Sequence, residues 1–224
     1  MPMSMSITDR VLDSSKTIWG GYGSHPFVMG IAGGTLPVEK FRYFMIQDYL
    51  YLQDYIKVFS IGIAKTQDLE ILQAFSGYVH HILEEEMAIH RAYMKRLGIT
   101  EAELKAARMA QDNLSYTSYM LRCAYEGGPA EVCAAILPCG VSYEDLAVAM
   151  VQADPRCAEH AFYGEWIRGY ADPAYHASNE VLRGILERAA AGYNEQQIAH
   201  LIEIAQRCCT YEGMFWDLSW EMRP

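Results

Sequence analysis

No stretch of useful length in this 224-residue chain alternates apolar and polar residues with period two; apolar positions return at steps of three and four. A half-buried strand needs the first pattern and a half-buried helix needs the second, so sheet architectures are excluded at the outset. The connections between periodic segments are short, and no repeat, low-complexity stretch or linker marks a boundary. The expectation is all-α: a compact multi-helix bundle in one domain over residues 1–224.

Punctuation residues place the helices. A first amphipathic helix is expected from about Ile7 to Tyr22, followed by the loop Gly23–Phe27 and a glycine-rich stretch from Met29 to Gly34. Thr35 suits the N-cap of a second helix reaching about Lys65, with Pro37 and Glu39 in its first turn. A third runs from Asp68 to Leu97, stopped by Gly98 in the C′ position. Shorter helices over Ile99–Ala110 and Ser115–Tyr125 lead to Gly127-Gly128-Pro129. A long apolar helix then ends near Asp154-Pro155, followed by helices over Ala158–Tyr170 and Tyr175–Ala191. Asn194 with Gln197 reads as the capping box of a last helix ending near Glu221.

Composition narrows the partners. A net charge of −10 without clustered Lys or Arg argues against a nucleic-acid surface. No run is expected to span a membrane, since even Ala130–Leu137 is short and followed by polar residues. Met1 to Ser6 has neither a basic region nor an apolar core, and is expected to be a frayed end and not a signal peptide. The six cysteines form no CxxC pair and sit among apolar helical residues, which points to free thiols and a cytoplasmic location.

Three residues interrupt the apolar logic. Cys139 follows Pro138 within the long apolar helix, on the stripe Val132, Ile136, Cys139, Tyr143, Leu146 and Met150. Proline cannot donate to Ala134, so a kink and a free backbone carbonyl are expected beside the thiol. On its own, Cys139 reads equally as one more buried small hydrophobe. Asp48 breaks the stripe Phe41, Phe44, Tyr51, Leu52, Tyr55, Phe59 and Ile63, and Glu212 breaks Leu201, Ala205, Cys208, Phe215, Trp216 and Ser219. Each carboxylate could simply fix helix packing through hydrogen bonds. Two of them with a mid-helix cysteine, on three interior helices, point to a polar site tuned by burial. The 16 tyrosines mostly suit core or rim packing, but a subset around one cavity would suit a flat heteroaromatic ligand.

Rival chemistries fare less well. A di-iron bundle wants Glu-x-x-His on two helices, and none of the seven histidines has Glu three residues before it. His80, His81, Glu84, Glu85, Glu86 and His90 cluster on the third helix without a matching half, and read as a solvated or inter-subunit face. Haem has no better ligand than His25, which precedes a proline in a loop. A papain-like Cys–His pairing stays open, although no histidine sits in a recognisable supporting motif. No cofactor is expected.

Across nearly the whole length, ordered motifs resemble the thiaminase II (TenA) family, whose fold is similar to haem oxygenase without haem. They are His25-Pro26-Phe27-Val28 with Gly30, then Gly34, Leu36 and Pro37, then Gln47-Asp48 with Tyr51-Leu52. Further on come Glu86-Met87 with His90, Ser115-Tyr116-Thr117-Ser118, Leu137-Pro138-Cys139, and Tyr211-Glu212 with Phe215-Trp216. The resemblance implies Cys139 as nucleophile, Glu212 as proton donor to a pyrimidine ring, and Asp48 as acceptor for its amino group. Tyr51 would raise the reactivity of the thiol, and Tyr143, Tyr170 and the nearby Tyr116 would bind substrate. It implies hydrolysis of 4-amino-5-aminomethyl-2-methylpyrimidine, a thiamin breakdown product, to the hydroxymethyl pyrimidine and ammonia, with thiamin as a further substrate. It also implies a homotetramer and membership of the cysteine-bearing branch. The pattern departs at Gly140-Val141-Ser142, where many members carry aromatics, and at Gly169-Tyr170-Ala171-Asp172. A non-catalytic pyrimidine- or thiamin-binding regulatory protein, and a metal-dependent oxidase on a related bundle, are the alternatives.

Overall fold

The computed structural model describes residues 5–224, and no strand occurs among them. The first four residues of the stretch expected to fray lie outside that range. Ser6, at its end, caps α1 (Ile7–Trp19) by accepting the Asp9 amide at 3.0 Å. After a 3-10 turn at Tyr22–Ser24, the stretch read as a glycine-rich connection is instead α2 (Pro26–Ala32). His25 makes it possible: its Nδ1 accepts the Phe27 amide at 3.2 Å, and Pro26 fills a first-turn position that needs no N–H. Gly34, at φ +67°, turns the chain where the His160 ring occupies the side-chain space. Thr35 does not cap the next helix; its amide bonds the Gly30 carbonyl at 2.8 Å, and α3 (Val38–Ala64) starts after Pro37 without a side-chain cap.

The helix expected to run unbroken from Asp68 to Leu97 is interrupted. Asp68 caps α4 (Leu69–His81), a π-helical turn covers Ile82–Glu86, and α5 (Met87–Arg96) continues to Gly98, which takes the expected left-handed φ of +67°. A capping box between Thr100 and Glu103 limits α6 to Glu101–Ala106, and α7 (Gln111–Glu126) starts a turn earlier than read. Next come α8 (Pro129–Ala153), a 3-10 turn at Pro155–Glu159, and α9 (Gly164–Tyr170). The last two were expected as one helix, but His160 Nδ1 accepts the Phe162 and Tyr163 amides and restarts the chain. Asp172 caps α10 (Pro173–Ala189), and the expected Asn194–Gln197 box opens α11 (Glu195–Glu221).

The bundle is built around α8, which packs most extensively on α10 and α11, while α1 lies on α11 and α3 lies on α7 and α4. From Ala130 to Pro138 every residue of α8 is buried. That corrects one expectation: α8 is long and apolar enough to cross a membrane by length and composition. A helix apolar all round either meets lipid or is wrapped by its own fold. Here most of it is buried against other helices. Fully burying side chains such as Val132, Ile136 and Leu137 contributes roughly 1.5–3 kcal/mol each, which fixes α8 axially and rotationally. The helix continues through Pro138, so the one thiol beside the proline has a defined direction.

Candidate active site

Three helices converge on a cavity of about 790 Å³. From α3 it takes Asp48, Tyr51 and Tyr55, from α8 Cys139, Gly140 and Tyr143, and from α11 Glu212 and Phe215. Tyr116 of α7 and Tyr170 of α9 also line it, so all seven residues singled out in the sequence meet in one space. The size suits a small organic molecule with room to spare. A shallower depression of about 360 Å³ between α4 and α10, edged by Glu70 and Arg188, holds none of these groups.

The walls are aromatic because each helix aims a ring inward at helical spacing. Tyr143 approaches Tyr170 at 4.9 Å and Trp216 at 5.0 Å between ring centroids. Tyr51 meets both Tyr55 and Tyr116 at 5.3 Å, and Tyr116 stacks on Tyr211 at 5.6 Å. Such offset and tilted pairs stiffen one another and leave flat faces for a planar ligand.

Cys139 differs from the other five cysteines. All six are free, and only Cys139 is not fully buried, because its sulfur opens on the cavity. Burial in apolar surroundings pushes its pKa well up, and the Glu212 charge adds to the rise, while the nearby Tyr51 hydroxyl, which itself donates to Met120 Sδ, pulls it down. The resting group is a thiol. Its activation therefore depends on handing its proton to a neighbour as a ligand binds.

Glu212 is 2% exposed, and its Oε2 has no hydrogen-bond partner, nor does the Tyr116 hydroxyl. Burial lifts its pKa to about 7. Tyr143 and Tyr116, near the carboxyl but not aligned on Oε2, draw it down, and the Asp48 charge raises it. A carboxyl that holds a proton near neutrality and lacks a fixed partner can donate to a ring nitrogen.

Asp48 is arranged differently. Its Oδ2 accepts from His90 Nε2 at 2.6 Å, and His90 Nδ1 faces the Glu86 carbonyl at 2.9 Å. With acceptors at both ring nitrogens, the imidazole carries two protons. Burial alone would lower the His90 pKa, but the Asp48 hydrogen bond and the Asp48 and Glu86 charges raise it to about 9. A buried cation thus stands behind the Asp48 carboxylate.

His90 and Glu86 correct the sequence reading, which placed them on a solvated or inter-subunit face. His80, Glu84 and Glu85 are exposed and away from the cavity, His81 is exposed at its edge, and His90 is 5% exposed with Glu86 beside it in the lining. The π turn at Ile82–Glu86 changes the helical phase between the two groups. Tyr55, Tyr175 and Asn179 also line the cavity without having been singled out as site residues. Tyr55 lay in plain view on the Asp48 stripe; Asn179 offered no sequence signal beyond being polar on a helix.

An all-helical bundle with a thiol, a proton-bearing carboxyl and an ion-paired carboxylate around an aromatic cavity defines a class: helical proteins equipped for acid-assisted nucleophilic chemistry on a flat ring. Residues 12–222 match the TENA/THI-4/PQQC family, and the chain belongs to that family. It is 41% identical to the Helicobacter pylori protein named aminopyrimidine aminohydrolase, over 97% of this chain and 100% of that one. It is 40% identical to the protein of the same name from Halalkalibacterium halodurans, over 98% of this chain and 97% of that one. Among solved structures, the TenA homologue from P. horikoshii OT3 superposes with a TM-score of 0.87 at 25% identity, covering 97% of this chain and 99% of that one.

Proposed function

We propose that this protein is an aminopyrimidine aminohydrolase of the thiaminase II type, a hydrolase of C–N bonds serving thiamin salvage. The observation that carries the reading is the buried, unpartnered Oε2 of Glu212, a residue that lines the same cavity as Cys139 and Asp48. The relatives bearing that name match along essentially their full length. The substrate is 4-amino-5-aminomethyl-2-methylpyrimidine, and thiamin shares the ring and methylene that the chemistry uses.

The steps follow from the groups present. The ring lies between the tyrosines with its amino group on Asp48, an acceptor that a ring lacking this donor would leave unpaired. Glu212 gives its proton to a ring nitrogen and takes the proton of the Cys139 thiol as the sulfur adds to a ring carbon. Tyr51, whose hydroxyl donates to Met120 Sδ at 3.7 Å on the same wall, lowers the thiol pKa and so favours the ionised sulfur. The amine, bound in its ammonium form, is then expelled from the methylene by the ring electrons and leaves as ammonia. Water adds its hydroxyl to the exposed methylene and its proton goes to ammonia. The C–S bond breaks, the ring nitrogen gives up its proton, and thiol and carboxyl are restored. Tyr143, Tyr170 and Tyr116 hold the ring. The same reading takes residues 1–224 as one domain of a cytoplasmic homotetramer; the free state of all six thiols supports the compartment.

The test is Cys139→Ala. Ammonia release from the aminomethyl pyrimidine should fall by on the order of 10⁴-fold or more while the ligand still binds. Unchanged turnover would remove the nucleophile, and binding without turnover by the wild type would favour the non-catalytic alternative.

A further inference from the structure

The residue after the thiol, Gly140, makes room for another chain. A Cβ built on Gly140 would lie 2.4 Å from Asn179 Oδ1, so no side chain fits there unless Asn179 withdraws. Asn179 comes from α10 and is 4% exposed. Its amide is not free to turn: Nδ2 donates to the Gly140 carbonyl at 3.1 Å and to Glu144 Oε2 at 2.8 Å. Glu144 is held in turn through Oε1, 2.5 Å from His176 Nδ1. Both Nδ2 partners are acceptors, which fixes the amide orientation and leaves Oδ1 over the open side-chain position of Gly140. Among the described residues no donor meets that oxygen, and Asn179, Gly140 and Cys139 line the same cavity.

We infer that Asn179 Oδ1 is the acceptor for the N–H of the substrate's leaving amine, and that Gly140 is the residue that lets it stand beside the nucleophile. The inference rests on the aminohydrolase reading. The leaving nitrogen hangs one methylene from the ring, so it lies close to the sulfur that attacks that ring. Five carboxyl side chains line the cavity against one buried cation, His90, and no lysine or arginine, which favours a protonated amine over an anionic group. A carboxylate in direct contact would hold the ammonium form and oppose its departure. A neutral amide oxygen orients an N–H without locking in the charge, so it aligns the C–N bond and releases the product.

The inference predicts selectivity between leaving groups. The thiazolium nitrogen of thiamin carries no hydrogen, whereas the aminomethyl pyrimidine does. For Asn179→Ala, kcat/KM for the aminomethyl pyrimidine should fall roughly 10- to 100-fold, the range for a lost hydrogen bond to a charged group. For thiamin, followed as a substrate or as a competitive ligand, the change should stay within about threefold, far below that range. Gly140→Ala, whose new methyl displaces the amide, should reproduce the same selective loss, and circular dichroism would check that each variant folds. Equal losses for both molecules in both variants would mean a structural role and overturn the inference, as would no loss in either. If the wild type released amine from neither molecule, the underlying reading would fall and the inference with it.

Discussion

Asp48 and Glu212 pose the same physical problem, a carboxyl on an apolar helix stripe, and the molecule answers it in opposite ways. Asp48 is stabilised as an anion by a cation, His90, in a pair that is itself tied to the Glu86 carbonyl. Glu212 is given no fixed partner on Oε2 and keeps its proton up to about neutral pH. The first arrangement makes a permanent acceptor. The second leaves a group free to take up or give off a proton near neutral pH. The contrast shows that burial does not determine a carboxyl's role; what determines it is whether the fold spends a counter-charge on it.

The comparison breaks most visibly at Asp48. Asp48→Asn removes the anion and leaves His90 a buried cation without its partner, which should cost about 3–5 kcal/mol near pH 6. The His90 pKa is raised in the folded state to about 9, so the pair's contribution is complete below about 6.5 and is lost as pH rises through 9. Denaturant titrations should therefore show the gap between wild type and variant closing above pH 9, and affinity for the aminopyrimidine should fall. A gap independent of pH would show that the ion pair is not its source.

Glu212→Gln should act in the other direction on stability. A carboxyl whose folded pKa is about 7, above the ordinary 4.5, stabilises the fold while protonated and loses that contribution as pH rises from about 4.5 through 7. The wild type should lose about 3 kcal/mol between pH 5 and 9 that the glutamine variant keeps, with His90 titrating alike in both. Activity should drop about 10²–10⁴-fold at the same time. Parallel stability curves for the two proteins would end the view of Glu212 as a proton holder.

The smallest effect is expected for Tyr116→Phe. Its hydroxyl is already unpartnered, so stability should change by less than about 1 kcal/mol. That hydroxyl nevertheless favours the ionised form of Glu212, so its removal should move the carboxyl's titration further up. Isotope-edited NMR of the Glu212 carboxyl would report the midpoint, and a downward shift would contradict the arrangement described for this wall.

How much could be read in advance follows from where periodicity holds. Cys139, Asp48 and Glu212 lie on uninterrupted helices, so each could be seen to break or join a stripe, and all three face one cavity. Asn194 with Gln197 was legible because a capping box is a local signal, whereas the Thr100–Glu103 box was not singled out. Thr35 failed because a competing tertiary bond from its own amide to Gly30 holds the turn. His90 and Glu86 were misplaced because the regular helical count that would locate them runs through a segment that is not regularly helical. Asn179 was invisible because its position depends on space left on another helix by Gly140.

The π turn at Ile82–Glu86 has a consequence of a different kind. One residue corresponds to about 100° of rotation in an α-helix, so the extra residue in the turn sets the register at which Glu86 and His90 meet the cavity that Tyr78 and Ile82 already line. Before it, Tyr78 and Ile82 line the cavity while His80 looks to solvent; after it, Glu86 and His90 take up the same inward face and His90 reaches Asp48. What must be preserved there is the number of residues more than their identity. Glu84 and Glu85 are exposed and replaceable, but adding or removing one residue between them would rotate His90 off its carboxylate while leaving every side chain of the site unchanged in sequence.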